Sequence, residues 1–311
     1  MFRLLFTAGL ATGGMFLLAQ NKAETSPKLV PVQMIVTVEA RNGKDVPSLN
    51  QQDVMAYERQ ARLQVTGLVP FQGENADLEL FLLLDDASDS TLGSQFGDLR
   101  HFIETQAATT AIGIGYMEHG TVDIVQNLTT DHSHATRALR LPVPSAGVSP
   151  YLSLSDLIKR WPHSPARREV VLVSSGVDVL GGTGLTNPYL DRAIEDAQRN
   201  EIVVYAIYMP SAGHSGHSFW RMNWAQSHLA QLGEETGGEA YMLGFGPPIS
   251  FAPYLEDVAK HLAHQYGVTA LFKTTDKAGF HDVRLVTEVP NAELVAPSRV
   301  YVPAGYEKPG R

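Results

Sequence analysis

Apolar and polar positions change their pattern twice along the chain, and the changes divide it into three regions. From about residue 28 to residue 72, apolar residues alternate with polar ones, as in Val30–Ala40, and an Asn42-Gly43 turn follows. This pattern predicts strands that begin as a β-hairpin. Leu78–Asp86 is instead a nearly continuous apolar run that ends in carboxylates, which is typical of a strand buried on both faces. We therefore expect a small β unit at 28–72, a central domain at 76–272 and a C-terminal β segment at 278–306.

Within the central domain, strand patterns alternate with helix patterns. After the first strand, further strands are expected at 110–116, 122–126, 169–174, 202–209 and 240–243, and helices at 95–108, 131–139, 152–161, 191–200, 224–236 and 253–265. Such alternation predicts an α/β fold with a doubly wound, mostly parallel sheet and Rossmann-like topology. The two flanking β segments share their patterning, and we expect them to pair as a small β-sandwich.

The first residues have the pattern of a signal peptide. Arg3 precedes an apolar run from Leu4 to Ala19, after which the chain turns polar. Glycines interrupt the run, and it is shorter than the roughly 20 apolar residues of a spanning helix, which disfavours the alternative of a membrane anchor. We expect an exported protein, whether periplasmic, cell-surface or secreted, with a signal peptide at 1–23 and no membrane span after cleavage.

Charge and cysteine content narrow the function classes. The formal net charge is -9, and no basic cluster stands out, so nucleic acid is not an expected partner. The chain has no cysteine, which excludes disulfides, thiolate metal sites and a cysteine nucleophile. An exported fold without disulfides depends on its core, which favours a bacterial envelope over a eukaryotic secreted module.

The loop after the first central strand carries candidate chemistry. Asp86, Ser88 and Ser90 occupy alternate positions after this strand, and in doubly wound sheets ligands bind at the carboxyl ends of the strands. One carboxylate and two hydroxyls are hard oxygen ligands, which suit Mg²⁺, Ca²⁺ or Mn²⁺. The alternative is that these residues cap the helix that follows.

The same loop resembles the D-x-S-x-S motif of the metal-ion-dependent adhesion site in von Willebrand factor A domains. The resemblance continues in an ordered set of segments, Asn127–His132, Ser149–Pro162, Val173–Asp178 and Thr236–Glu239, and covers about residues 28–306. The chain thus resembles the VWFA-related proteins that are abundant in acidobacterial genomes. This resemblance implies a non-enzymatic adhesion or assembly module that holds a divalent cation. An acidic side chain of a protein partner would complete the coordination of that cation.

The chain also departs from the family motif. A threonine from a second loop and an aspartate from a third complete the family site, whereas this chain offers Ser149 in the second loop and Ser175 at the position of the aspartate. Asp178 is the first candidate replacement, and Asp85 and Asp89 are the others. We therefore predict a partial metal site formed by Asp86, Ser88, Ser90, Ser149 and Asp178, with a degenerate, metal-free interaction protein as the alternative.

A histidine-rich segment follows the strand at 202–209. His214 and His217 lie among glycines, which disfavours a helical zinc site with His228 and favours a loop that contacts a partner together with Trp220. His132 and His134 follow Asp131, which is expected to cap a helix. Trp220 and Trp224 are candidates for an exposed aromatic contact.

Catalysis is the minority hypothesis. The chain has no G-x-S-x-G elbow, no phosphate-binding G-x-x-x-x-G-K-[ST] loop and no H-E-x-x-H helix. A phosphatase nucleophile would need D-x-D-x-T, but Ser88 replaces the second carboxylate. A metal-dependent hydrolase that uses Asp86 with His214 or His217 is the remaining enzymatic alternative.

Overall fold

The computed structural model describes residues 28–43, 45–88, 90–143, 148–182, 184–211, 218–242, 244–274 and 277–304. Their strands form two six-stranded sheets and a two-stranded sheet. The expected signal peptide, 1–23, lies outside the described ranges. Within those ranges, no helix combines the length and the apolar character that crossing a membrane requires.

The central region forms a mixed α/β unit. Its strands are β4 (Leu78–Asp85), β5 (Thr110–Glu118), β6 (Thr121–Thr129), β7 (Arg167–Ser174), β8 (Ile202–Tyr208) and β9 (Ala240–Tyr241). Its helices are α1 (Phe96–Glu104), α2 (His132–Arg137), α3 (Pro150–Arg160), α4 (Pro188–Arg199), α5 (Phe219–Thr236) and α6 (Ala252–Ala263). The strand order is β6-β5-β4-β7-β8-β9, and all neighbours are parallel except β5 and β6. Counted from β4, this is the 3-2-1-4-5-6 order of doubly wound sheets.

Burial on both faces explains the apolar run in β4. Leu80, Leu82 and Leu84 pack in one core with side chains of α1, α2 and α6. Phe81 and Leu83 point to the other side, into a core with α3, α4 and α5. Because successive side chains of a strand alternate between faces, only a strand covered on both sides is apolar throughout.

The flanking segments share one antiparallel sheet. Its strands are β1 (Lys28–Ala40), β2 (Val54–Glu58), β3 (Ala61–Pro70), β10 (Gln265–Thr274), β12 (Arg284–Thr287) and β13 (Ala292–Val295), in the order β12-β2-β3-β10-β1-β13. β11 (Gly279–Asp282) and β14 (Arg299–Val302) form the two-stranded sheet. The third core lies in this unit, where Met34 and Phe272 are its large, fully buried side chains.

Two sequence predictions differ from this arrangement. The hairpin expected after Val30–Ala40 is wrong, because β1 pairs with β10 on one edge and β13 on the other, and Asn42-Gly43 turns the chain without joining neighbouring strands. The central domain was expected to extend to residue 272, but β10 starts at Gln265, directly after α6, and pairs with β1 and β3. The last element of the α/β unit is therefore α6.

Helix α5 begins five residues before the expected start at 224. It starts at Phe219, after Ser218 in extended conformation, and it ends where Gly237 adopts a left-handed conformation with φ 83°. Gly237 suits that end because only glycine takes this conformation without steric cost. The earlier start places Trp220 in the first helical turn.

A buried polar network joins the two units. The Arg167 guanidinium donates to the Leu262 carbonyl at 2.8 Å and to Gln265 Oε1 at 2.5 Å, and Gln265 Nε2 donates to the Tyr205 hydroxyl at 3.1 Å. Glu169 is fully buried beside it, with Oε1 3.8 Å from Arg167 Nε. Burial raises the pKa of Glu169 to about 7, although the charge of Arg167 opposes the rise.

This pKa predicts a pH-dependent stability. The folded chain holds a proton on Glu169 more tightly than the unfolded chain, so the free energy of unfolding should fall as pH rises from about 4.5 to 7. Glu169→Gln keeps the shape without the titration, and it should remove a loss of about 3 kcal/mol over that window. Urea unfolding at pH 5, 6, 7 and 8 measures the difference between variant and wild type. E256Q, at an exposed position of α6, is the control. An unchanged difference across the window would show that Glu169 does not titrate there.

Candidate functional site

The carboxyl ends of the parallel strands form the candidate face. β4 ends at Asp85, β7 at Ser174 and β8 at Tyr208, and their registers place these ends at the same edge of the sheet. Ser88 also forms an isolated backbone bridge with Ser211, which ties the loop after β4 to the loop after β8. The loops after three strands therefore meet at this edge.

Asp85 links the ends of β4 and β7 through a hydrogen bond. Its Oδ2 accepts a hydrogen bond from the Ser174 hydroxyl at 2.7 Å, and its Oδ1 accepts from the Ala87 amide at 2.8 Å. Burial raises the pKa of Asp85 to about 6, although the hydrogen bonds from Ser174 and Ala87 oppose the rise. Asp85, a candidate replacement ligand in the sequence analysis, thus holds the loop in place.

Asp86 is paired with an arginine. Arg140 donates from Nη1 to Asp86 Oδ1 at 2.7 Å and from Nη2 to Oδ2 at 2.8 Å, and the Val143 amide adds a third bond to Oδ1 at 3.0 Å. The side chain of Asp86 is only 4% exposed. Two parallel charge-assisted bonds of this kind are strong and fix both partners geometrically.

Tyr116 holds Arg140 in this position. The guanidinium carbon lies 3.8 Å from the centre of the Tyr116 ring, which is a cation–π distance. The Tyr116 hydroxyl donates to the Arg140 carbonyl and accepts from the Arg140 amide, both at 2.7 Å. The cation that neutralises Asp86 is therefore built into the chain and fixed at its backbone and its side chain.

Among the described residues, the other predicted ligands make no hydrogen bond with this pair, and two of them have partners of their own. Ser88 Oγ is buried and has no hydrogen-bond partner among the described residues, and Ser90 is exposed at the start of a 3₁₀ turn. Ser149 is fully buried and caps α3 by accepting from the Leu152 amide at 3.3 Å. Asp178 accepts from two amides and an amide side chain of its own loop, those of Leu180, Gly181 and Asn187. Asp89 lies outside the described residues.

These contacts do not fit a divalent cation held through Asp86. Both carboxylate oxygens already accept from Arg140, and a metal ion would have to displace a guanidinium that carries its own positive charge. Ser149 already caps α3, and Asp178 already accepts hydrogen bonds within its own loop. Sequence reasoning missed Arg140, and the available signal was one arginine between Leu139 and Leu141 in an otherwise apolar stretch.

Among the histidines that the sequence analysis weighed as ligands, His228 has a structural role. His228 is buried, its Nε2 lies 3.1 Å from the Leu185 carbonyl, and its ring meets that of Tyr151 edge-on. Asp131 caps α2 as expected, by accepting from the His134 amide at 2.9 Å. His214 and His217 lie outside the described residues, so their partner role stays a prediction.

An exposed aromatic patch lies at the start of α5, the helix that follows β8. Phe219 is 55% and Trp220 67% exposed. The ring centre of Phe219 lies 5.7 Å from that of Trp220 and 5.5 Å from that of Phe245, and Trp220 lies 6.4 Å from Trp224. We call Phe219, Trp220, Trp224 and Phe245 the aromatic patch. Trp220, which was predicted to contact a partner, is accessible for that contact.

Exposed aliphatic side chains accumulate in the loops at the same edge. They are Leu141, Val143, Val179, Leu180, Leu185 and Ile249, each at least 48% exposed. Single exposed apolar residues are ordinary, but several of them in the loops at one edge of a sheet add up to a larger apolar contact area. The edge therefore presents apolar contact area around a neutralised carboxylate.

No family model matches the sequence, and no curated protein is significantly similar to it. Solved structures to which the chain is similar include a von Willebrand factor type A protein from Catenulispora acidiphila, at 10% identity and TM-score 0.44, covering 90% of this chain and 75% of that one. BatB from Bacteroides thetaiotaomicron matches at 11% identity and TM-score 0.40, covering 60% and 97%. Proximal thread matrix protein 1 of the mussel byssus matches at 12% and 0.41, covering 60% and 47%. The α/β assignment therefore depends on this chain's own strand order.

The ion pair of Asp86 and Arg140 predicts that removing Arg140 alone destabilises the fold more than removing both partners. Arg140→Ala leaves a buried carboxylate without its cation, and we expect a loss of roughly 2–3 kcal/mol, less than for a fully buried pair because a third of the Arg140 side chain is exposed. The double variant D86A/R140A should recover part of the loss. Chemical unfolding measures both, with R137A on the exposed side of α2 as the control. Equal losses in R140A and R137A would contradict a structural role for the pair.

Proposed function

We propose that this chain is an exported, non-enzymatic protein-interaction module with a von Willebrand factor A-like domain. Its proposed binding surface is the carboxyl edge of the parallel sheet, and the accessible aromatic patch is the observation that carries the proposal. The strand order and the position of the Asp86 loop after β4 support the domain type. The expected signal peptide supports export to the periplasm, the cell surface or the medium.

The same geometry favours binding without a divalent cation. In a metal-dependent adhesion site, a partner carboxylate would complete the coordination of an exposed ion. Here Arg140 already satisfies Asp86 with two short bonds, and Val143 adds a third. The partner is then recognised through apolar and aromatic contacts, which are typical of the energetic centre of protein interfaces.

The acidic and imidazole groups at this edge favour binding over catalysis. Asp86 is paired with a permanent cation, Asp178 accepts three bonds within its loop, and His228 contacts a backbone carbonyl. A hydrolase would need one of these groups close to a nucleophile or a bound water. The metal-dependent module and the hydrolase remain the alternatives that experiments should separate.

Substitutions in the aromatic patch test the proposed surface. F219S/W220S should reduce partner capture from a cell-envelope extract at least tenfold, because exposed aromatic anchors contribute about 2 kcal/mol or more to many interfaces. The matched control is V69S, which changes an exposed apolar residue of β3 on the antiparallel sheet. Quantitative mass spectrometry of captured proteins compares the variants. Equal capture by F219S/W220S and wild type, with both folded, would contradict the proposed surface.

Metal dependence has its own test. Capture should be the same with EDTA as with Mg²⁺, Ca²⁺ or Mn²⁺, since Arg140 takes the place of the ion. Thermal unfolding of wild type and D86N in the same buffers shows whether any ion acts through Asp86. An ion-induced increase in the unfolding temperature or in capture that D86N abolishes would support the metal-dependent alternative.

A further inference from the structure

A second cluster of charged side chains lies away from the carboxyl edge, where the two units meet. His261, near the end of α6, points its Nε2 towards Glu39 Oε1 at 3.1 Å and Glu239 Oε2 at 3.9 Å. Asp257, one turn earlier in the helix, places Oδ2 at 3.7 Å from the same nitrogen. One imidazole nitrogen is thus surrounded by three carboxylates from three different elements.

Hydrogen bonding alone does not account for this arrangement. Nε2 carries at most one hydrogen, which serves one acceptor, and Glu39 is the only one of the three within hydrogen-bonding distance of it. Glu239 and Asp257 nevertheless lie 3.9 and 3.7 Å from the same nitrogen, although like charges repel each other. Lys260, 3.6 Å from Asp257 Oδ1, is the nearby cation, and it is largely exposed.

The ligand atoms of the cluster lie close enough together to hold a metal ion. One ligand atom each from Glu39, Glu239 and His261 lie within 4.8 Å of one another. Tetrahedral zinc, with bonds of about 2.0–2.2 Å, brings its ligands to roughly 3.3–3.6 Å apart, so shifts of about an ångström in two flexible glutamates are enough. A cation at the centre would contact all of these groups at once and replace their mutual repulsion with attraction.

The surroundings hold the imidazole and the backbone of Glu239 in place and leave one side open. His261 is 10% exposed and packs against the Tyr205 ring at 5.7 Å, which limits its movement. The backbone of Glu239 is held by the bond from the Ala206 amide to its carbonyl at 2.8 Å. The Tyr241 hydroxyl donates to Asp257 at 3.3 Å. A cavity of about 270 Å³ borders Glu39, Glu239 and His261 and has room for water as a further ligand.

We infer that Glu39, Glu239 and His261 form a binding site for a divalent transition metal of the zinc class, with Asp257 available as a fourth ligand. One imidazole with carboxylates suits Zn²⁺ and its first-row neighbours better than Mg²⁺ or Ca²⁺, which prefer oxygen alone. Glu39 belongs to β1 of the antiparallel unit, and the other groups belong to the α/β unit. The ion would therefore link the two units. This site is independent of the proposed binding surface.

Titration of the full-length chain with zinc tests the inference. After EDTA treatment and dialysis, calorimetry with ZnCl₂ should give one site of micromolar or tighter affinity, and MgCl₂ should give none. At a free zinc concentration of 100 times Kd, the thermal unfolding temperature should rise by several degrees, since a ligand at that excess stabilises the folded state by about 2.7 kcal/mol. Co²⁺ should give a visible absorption spectrum that reports the ligand set directly.

Matched variants assign the ligands. H261A and the isosteric E39Q/E239Q should lose zinc binding and the cobalt spectrum, whereas H101A and H214A/H217A should keep both. E39Q/E239Q keeps the size of the side chains and so guards against a folding defect in H261A. No zinc binding by folded wild type, or binding that survives both H261A and E39Q/E239Q, would overturn the inference.

Discussion

The ion pair of Asp86 with Arg140 determines the chemistry that the carboxyl edge of this sheet offers. A carboxylate this deeply buried requires a counter-charge, which either an exchangeable metal ion or a side chain can supply. In this chain the guanidinium of Arg140 supplies it, with the planar fork matched to both oxygens. A metal ion offers open coordination positions to a partner, and a guanidinium that is already bound in this way offers none. Asp86 thus changes from a binding group into part of the scaffold.

In the proposed function, this change makes apolar contact rather than charge the basis of partner recognition. The loops that would surround a metal site instead expose Leu141 and Val143, which directly follow Arg140, and the first turn of α5 exposes Phe219 and Trp220. Aromatic side chains give large contact area for little loss of conformational entropy, and they need no ion to reach a partner. An interface of this kind would be less sensitive to salt and chelators than one in which a partner carboxylate coordinates a bound metal ion.

The sequence predicted the elements that depend on local pattern and the pairing of the two flanking segments, but it missed which strands are neighbours and which distant charges meet. The apolar run of β4 predicted a strand covered on both faces, and Asp131 predicted the cap of α2, because each signal lies within a few residues. The pairing of β1 with β10 rather than with its neighbour could not be predicted from the Asn42-Gly43 turn. Arg140 is likewise 54 positions from Asp86, so the motif at Asp86 did not show how its charge is balanced.

The cluster of Glu39, Glu239 and His261 shows the same limit more strongly, since these residues are far apart in the sequence and share no spacing pattern. Its position in the fold follows from the topology. Glu239 directly precedes β9, and Arg167 begins β7, so the antiparallel unit joins the parallel sheet at the amino ends of its strands. The candidate binding surface is at the opposite ends. Attachment at the amino ends leaves the carboxyl edge accessible, and a cation at the junction would fix the two units to each other without contacting a partner there.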